Sequence, residues 1–165
     1  MSRGVACVPR VAAAALLALA SAPLLAEDAA APAYPAGAAT FKDNCAVCHG
    51  PAGGGIPALA PPLSANPGRY AASAEGRRQL ALTVLYGMFG DIVVDDKHYN
   101  FQMPEFSRFD DATLAATLNF VVFDIDHAGA DVKPLAAADI AAERVHPLDA
   151  SAVREHRKSV VPPTP

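Results

Sequence analysis

Two cysteines three positions apart, followed at once by a histidine, constrain this chain more than any other stretch: Cys45-Ala46-Val47-Cys48-His49. A redox dithiol with this spacing normally opens a helix that follows a strand. Here an Ala/Pro-rich coil and then a helical pattern lead into the motif. A structural zinc site needs four ligands, commonly a second cysteine pair or paired histidines. His98, His127, His146 and His156 are scattered instead. The third chemistry is covalent haem attachment, for which Cys-x-x-Cys-His is the signature. That spacing lets both sulfurs form thioethers at one haem edge and turns the adjacent imidazole to the iron. Export favours this reading, because such attachment belongs to oxidising compartments where unpartnered thiols are exposed to oxidation.

The case for export lies in the first 26 residues. Arg3 and Arg10 form a positive start, no acid precedes Glu27, and Val11 to Ala20 is an unbroken apolar run. A membrane-spanning helix needs roughly 20 apolar residues, so this run reads as a signal peptide rather than an anchor. Cleavage is expected after Ala26, with Ala22 as the other option, and no stable membrane span is expected in the mature chain. Cleavage removes Cys7 and leaves the even pair Cys45 and Cys48. It also leaves 11 basic against 17 acidic side chains, a net charge of −6. With no basic run beyond Arg77-Arg78, a nucleic-acid surface is excluded.

The organisation that follows is mostly helical. Residues 27–36 read as a flexible lead-in. Gly37, Phe41 and Cys45 then recur on one helix face. Gly50 to Leu63 is too rich in Gly and Pro for a regular element. A second helix is expected from near Ser73 to Gly87, and a third, capped by Asp110 or Asp111, through Leu114, Leu118 and Val122. Ile92-Val93-Val94 and His98-Tyr99-Asn100-Phe101 flank a three-residue turn, Asp95-Asp96-Lys97, in a short hairpin. Gly129 is expected to end the compact part. Beyond it Pro134-Leu135…Ile140…Arg144 is echoed by Pro147-Leu148…Val153…Arg157, which predicts two short helices, each with Pro at its start.

These residues together resemble the class I, mitochondrial-type c-type cytochromes, in particular their small bacterial mono-haem members, over about Gly37 to Asp124. The matching segments are Gly37-x-x-x-Phe41-x-x-x-Cys45-x-x-Cys48-His49-Gly50, then Pro61-Pro62-Leu63, then Tyr99-Asn100-Phe101-Gln102-Met103-Pro104, then the helix from Asp111 to Phe120. The resemblance implies an all-α fold, three to four helices around one covalently bound haem, with a small β-hairpin. To this the chain adds a helical C-terminal extension. The domains expected are a signal peptide (1–26), the lead-in (27–36), a cytochrome c domain (37–126) and the extension (127–165).

The resemblance also implies the site. Cys45 and Cys48 would bind haem c covalently, and His49 and Met103 would ligate its iron. Pro61 would accept a hydrogen bond from His49, Leu63 would line the pocket, and Phe120 would pack on Gly37 and Phe41. Met88, the other methionine left in the mature chain, sits at a helix end and reads as a buried gap-filler. His98, His146 and His156 read as surface residues, and Asp91, Asp95 and Asp96 as a solvated turn. Tyr99 and Asn100 are candidates to orient the sulfur or bond a propionate. A thioether opposite an imidazole raises the haem potential, and two protein ligands leave the iron no open position.

The expected function is therefore periplasmic single-electron shuttling between redox protein partners, a dehydrogenase, reductase or oxidase, and not enzymatic catalysis. The alternatives are a cytochrome subunit of a dehydrogenase or oxidase complex, and a haem enzyme or gas sensor with an open sixth position. The composition agrees with a cofactor-filled interior. Ala supplies 37 of the 165 residues, Trp is absent and only 7% are aromatic, so a flat porphyrin would supply the missing bulk.

Overall fold

The computed structural model describes residues 31–160 together with Met1. The expected signal peptide and its cleavage positions lie outside the described residues. The first helix, α1, runs Pro35–Asn44 and begins two residues before the predicted start, because Pro35 has its φ already set for a first helical turn. The N–H groups of Ala33 and Tyr34 donate to the Asp124 carboxylate at 2.7 and 3.1 Å, and the Tyr34 ring stacks on Phe123. The chain ahead of α1 is thus tied to the far end of the domain.

A short turn of helix, α2 (Ala46–His49), carries the cysteine–histidine motif and stops at Gly50. The Gly/Pro-rich loop follows as expected. Within it Gly55 has φ 76°, and a Cβ there would sit 2.6 Å from the Pro62 nitrogen. Only glycine lets the loop fold back on itself this tightly. A five-residue helix, α3 (Pro67–Ala71), had no signal in the spacing. The next, α4 (Ala74–Tyr86), matches the reading at both ends: Ser73 Oγ accepts the Gly76 N–H at 3.0 Å, and Gly87 closes it.

The hairpin pairs β1 (Ile92–Val94) with β2 (Lys97–Tyr99), Val94 opposite Lys97. Its turn is therefore two residues long and not three. Asp95 and Asp96 both take positive φ, 50° and 59°, the conformation that a two-residue turn of matching twist requires. Lys97 is released from the turn into the strand.

Asp110 caps α5 (Asp111–Asn119) by accepting the Thr113 N–H at 2.7 Å. The helix continues without a break as a π-helical stretch, Phe120–Ile125. α1 crosses α5 at Gly37, where a Cβ would overlap the Ala116 carbonyl and stand 3.0 Å from Phe120 Cβ. That close approach lets the Phe41 and Phe120 rings meet at 5.4 Å.

The compact part does not end at Gly129. Two further helices, α6 (Ala137–Arg144) and α7 (Ala150–Val160), fold back onto the domain. Leu135, Ile140 and Val153 are among its most buried side chains. Asn119, itself buried, gives its amide to the Leu135 carbonyl at 2.9 Å and takes the Leu135 N–H at 2.8 Å. Arg144 reaches the Asp111 carboxylate and the Ser107 and Phe109 carbonyls, each at 2.8 Å. The prolines do not start these helices. Each helix begins three residues later, and carboxylates cap them: Asp139 takes the Ala136 N–H, and Asp149 takes those of Ser151 and Ala152. Among the described residues no helix is long and apolar enough to cross a membrane.

Candidate cofactor site

One cavity of about 240 Å³ opens among α1, α2, the loop to Leu63, α3, α4, the hairpin and α5. Cys45, Cys48, His49, Pro61, Leu63 and Met103 all line it. Six positions spread over 59 residues of sequence thus converge on one space. Its other walls are mostly apolar, among them Phe41, Leu80, Val84, Met88, Leu118 and Val121.

His49 is set by the loop that follows it. Gly55 N–H donates to the His49 carbonyl at 2.8 Å and Leu63 N–H to the Gly53 carbonyl at 2.7 Å, which closes the loop and brings in Pro61. The Pro61 carbonyl lies 2.9 Å from His49 Nδ1. A carbonyl only accepts, so Nδ1 carries the proton and Nε2 keeps a free lone pair. Burial lowers the His49 pKa, opposed in part by that hydrogen bond. The ring is held neutral and ready to ligate.

Met103 is delivered without a helix of its own. Its N–H donates to the Met88 carbonyl at 2.9 Å, and its carbonyl accepts the Met88 N–H at 3.1 Å. Met88 is buried beside Leu82 and Val153, as the gap-filler reading expects. His98 is exposed and paired with Asp91 at 2.9 Å. Asn100 is exposed, whereas Tyr99 is buried and lines the cavity.

The competing chemistries fit poorly. Burial, followed by the neighbouring Cys48, pushes the Cys45 thiol up to about 11, only partly offset by the Arg108 guanidinium. A redox dithiol needs the opposite, a lowered value that frees a thiolate. Among the described residues no three His, Cys, Asp or Glu side chains gather to hold a metal ion on their own.

A flat apolar group with acidic edges fits better. The walls are mostly apolar, two half-buried thiols stand beside a neutral imidazole, and a thioether shares their cavity. The Asn66 amide nitrogen and the Tyr70 hydroxyl, both from residues on the wall, are buried without a hydrogen-bond partner, as is Arg69 Nη2 nearby. Such orphans are costly unless a ligand satisfies them. Sequence reasoning missed Asn66, Tyr70, Gln79 and Arg157 in this wall. It also placed His156 at the surface, whereas its Nδ1 lies 2.6 Å from the oxygen of the buried Gln79. Gln79 belongs to the predicted α4, but nothing in the spacing marked α3 or the docking of α7, which bring the others in.

Comparison with known proteins agrees. The family model for cytochrome c matches residues 34–122. Two proteins named cytochrome c-552, both from Thermus thermophilus, are each 34% identical to this chain over 119 residues. The match covers 71% of this chain and 91% and 80% of theirs.

Proposed function

We propose that this chain, which belongs to the cytochrome c family, carries single electrons between redox partners through an iron held by His49 and Met103. As a member of that family it is an electron-transfer protein with covalent haem c. The ligand pair is our reading, and one observation carries it. His49, with Nδ1 turned to Pro61 and Nε2 free, shares a cavity with the thioether of Met103.

When bound, haem c would supply an iron that changes oxidation state by one electron, and His49 with Met103 as its ligands would favour the ferrous form. The chain does the rest. Cys45 and Cys48 tether the group, Pro61 fixes the imidazole tautomer, and the Met88 pairing fixes the Met103 backbone. With His49 held by Pro61 and Met103 by Met88, little of the chain would have to move between oxidation states, which would keep transfer fast in both directions. The domain boundaries expected from the sequence, with the cytochrome domain at 37–126 and an extension at 127–165, belong to this proposal.

The net charge and the leader complete the reading: a periplasmic shuttle, released by cleavage near Ala26, that meets electropositive partner surfaces through weak, salt-sensitive contacts. Leu135, Ile140 and Val153 of the extension pack on its own domain, while Val145 is exposed.

The test is spectroscopic. The oxidised holoprotein should show the near-infrared sulfur-to-iron band, Met103→Ala should abolish it, and the reduced protein should bind carbon monoxide only after that substitution. A band that survives the change, or carbon monoxide binding by the wild type at neutral pH, overturns the ligation. N-terminal sequencing of the periplasmic protein should begin at Glu27.

A further inference from the structure

Four residues share one face of α7, Ala150, Val153, Arg154 and Arg157, and all four meet the same stretch of chain. The Phe89 N–H donates to the Ala150 carbonyl at 3.1 Å. Val153, with no exposed surface, is buried beside Met88 and Leu82. Arg154 lies against Gly90, where a Cβ would stand 2.9 Å from its Nε. Arg157 Nη2 donates to the Val93 carbonyl, more distantly, at 3.5 Å. The extension thus touches residues 88–93 at four points.

That stretch is the one paired with Met103. Residues 88–91 lie between the end of α4 and the start of β1, in neither helix nor strand. They meet Met103 through one pair of backbone hydrogen bonds. A pairing this short is marginal by itself, and irregular segments open locally at far less cost than global unfolding. Met103 also packs on the cluster of Leu82, Met88 and Val153. The cluster that α7 completes therefore supports both Met103 and its backbone partner.

We infer that α7 is a splint for the sulfur ligand: Ala150, Val153 and Arg154 position Met88 and Phe89, and through the Met88 pairing they hold the Met103 thioether at the iron and keep other ligands out. These are positioning residues, which act through Met88 and not on the cofactor. The inference rests on the reading of Met103 as a ligand, and it gives the extension a part in how firmly that ligand is held.

The test is imidazole binding by the oxidised holoprotein, with amide hydrogen exchange at Phe89 followed by NMR. Imidazole enters where the thioether leaves: an iron–nitrogen bond forms as the iron–sulfur bond breaks, with no change of oxidation state. Val153→Ala should speed both imidazole binding and Phe89 exchange about tenfold. Ile140→Ala is a larger truncation, equally buried, but it lies in α6 among residues of α4 and α5. It should change both rates less than about twofold, whatever it costs in global stability. Arg154→Ala, at a partly exposed side chain, serves if Val153→Ala fails to fold. It should speed imidazole binding, and Arg154→Met should restore it by keeping the stem over Gly90. Lys158→Ala takes the same charge from the same partner, Glu155, and should leave binding unchanged. A wild type without the near-infrared band removes Met103 as the ligand and the inference with it. With the band present, equal imidazole binding in the Val153 and Ile140 variants, or in the Arg154 and Lys158 variants, overturns the splint alone.

Discussion

Met103 and Met88 exchange a pair of backbone hydrogen bonds, 2.9 and 3.1 Å long, so the proposed sulfur ligand is tied to the residue just past the end of α4. Gly87 sits at the hinge of this pairing. Its φ is 71°, and a Cβ there would overlap the Met103 carbonyl and stand 2.9 Å from the Pro104 carbonyl carbon. Gly87→Ala should therefore cost about 1–3 kcal/mol through combined strain and crowding. It should also weaken the near-infrared band, because the backbone that carries the sulfur must shift. Gly54, where a Cβ would meet nothing within 4 Å, is the control, and Gly54→Ala should leave the band intact. Equal spectra for the two variants would remove the Met88 pairing from the account.

The crossing of α1 over α5 makes a second prediction. A Cβ at position 37 would overlap the Ala116 carbonyl, which is backbone and has no rotamer to give way. Gly37→Ala should force the helices apart and loosen the Phe41–Phe120 contact, at a cost of about 1–3 kcal/mol. Urea unfolding of the holoprotein checks it. An unchanged midpoint would mean that the crossing adjusts freely.

Local chemistry makes much of this site legible in the sequence. The spacing of Cys45, Cys48 and His49 carries its own reaction, Ser73 and Gly87 bound α4 by known capping rules, and Asp110 does the same for α5. What escapes the sequence depends on contacts between distant segments. α3 is five residues long, too short for a periodic pattern. The π-helical Phe120–Ile125 follows α5 in a run whose apolar spacing reads equally well as α-helix. The apolar echo Leu135, Ile140, Leu148 and Val153 is visible in the chain, but a stripe does not say which surface covers it. Asn119 supplies that answer by pairing with the backbone of Leu135. The inward placement of Arg157 and His156 is hidden for the same reason.

His156 links the extension to α4 in a pH-dependent way. Its Nδ1 lies 2.6 Å from Gln79 Oε1, and Arg78 Nη1 lies 3.3 Å from its other nitrogen, so the ring is neutral with the proton on Nδ1. Burial, then the Arg78 charge, lowers its pKa, while Glu75 and Glu143 oppose the shift. In the unfolded chain the imidazole takes up a proton near the usual value of about 6.5. The folded protein resists protonation until lower pH. Stability from this contact is therefore complete above about 6.5 and is lost as pH falls through the lowered folded value. Thermal midpoints between pH 7.5 and 5 should fall more steeply for the wild type than for His156→Gln. Parallel slopes would count against a neutral, bonded His156.

The burial of Ile140 makes the last prediction, and it concerns cooperativity. Ile140 has no exposed surface and packs in one cluster with Leu85, Leu114, Leu118 and Val122, residues of the cytochrome domain itself. Ile140→Ala should cost about 2–5 kcal/mol, the range for truncating a fully buried aliphatic side chain. Because those neighbours also back the haem cavity through Leu118, the loss should appear in the whole domain. Unfolding followed by helix content and by the haem absorption band should shift together, in a single transition. Two separated transitions, with the haem band unmoved by the substitution, would instead make the extension an independent lobe. Arg157 would then reach the cavity from an element too loosely held to keep it there.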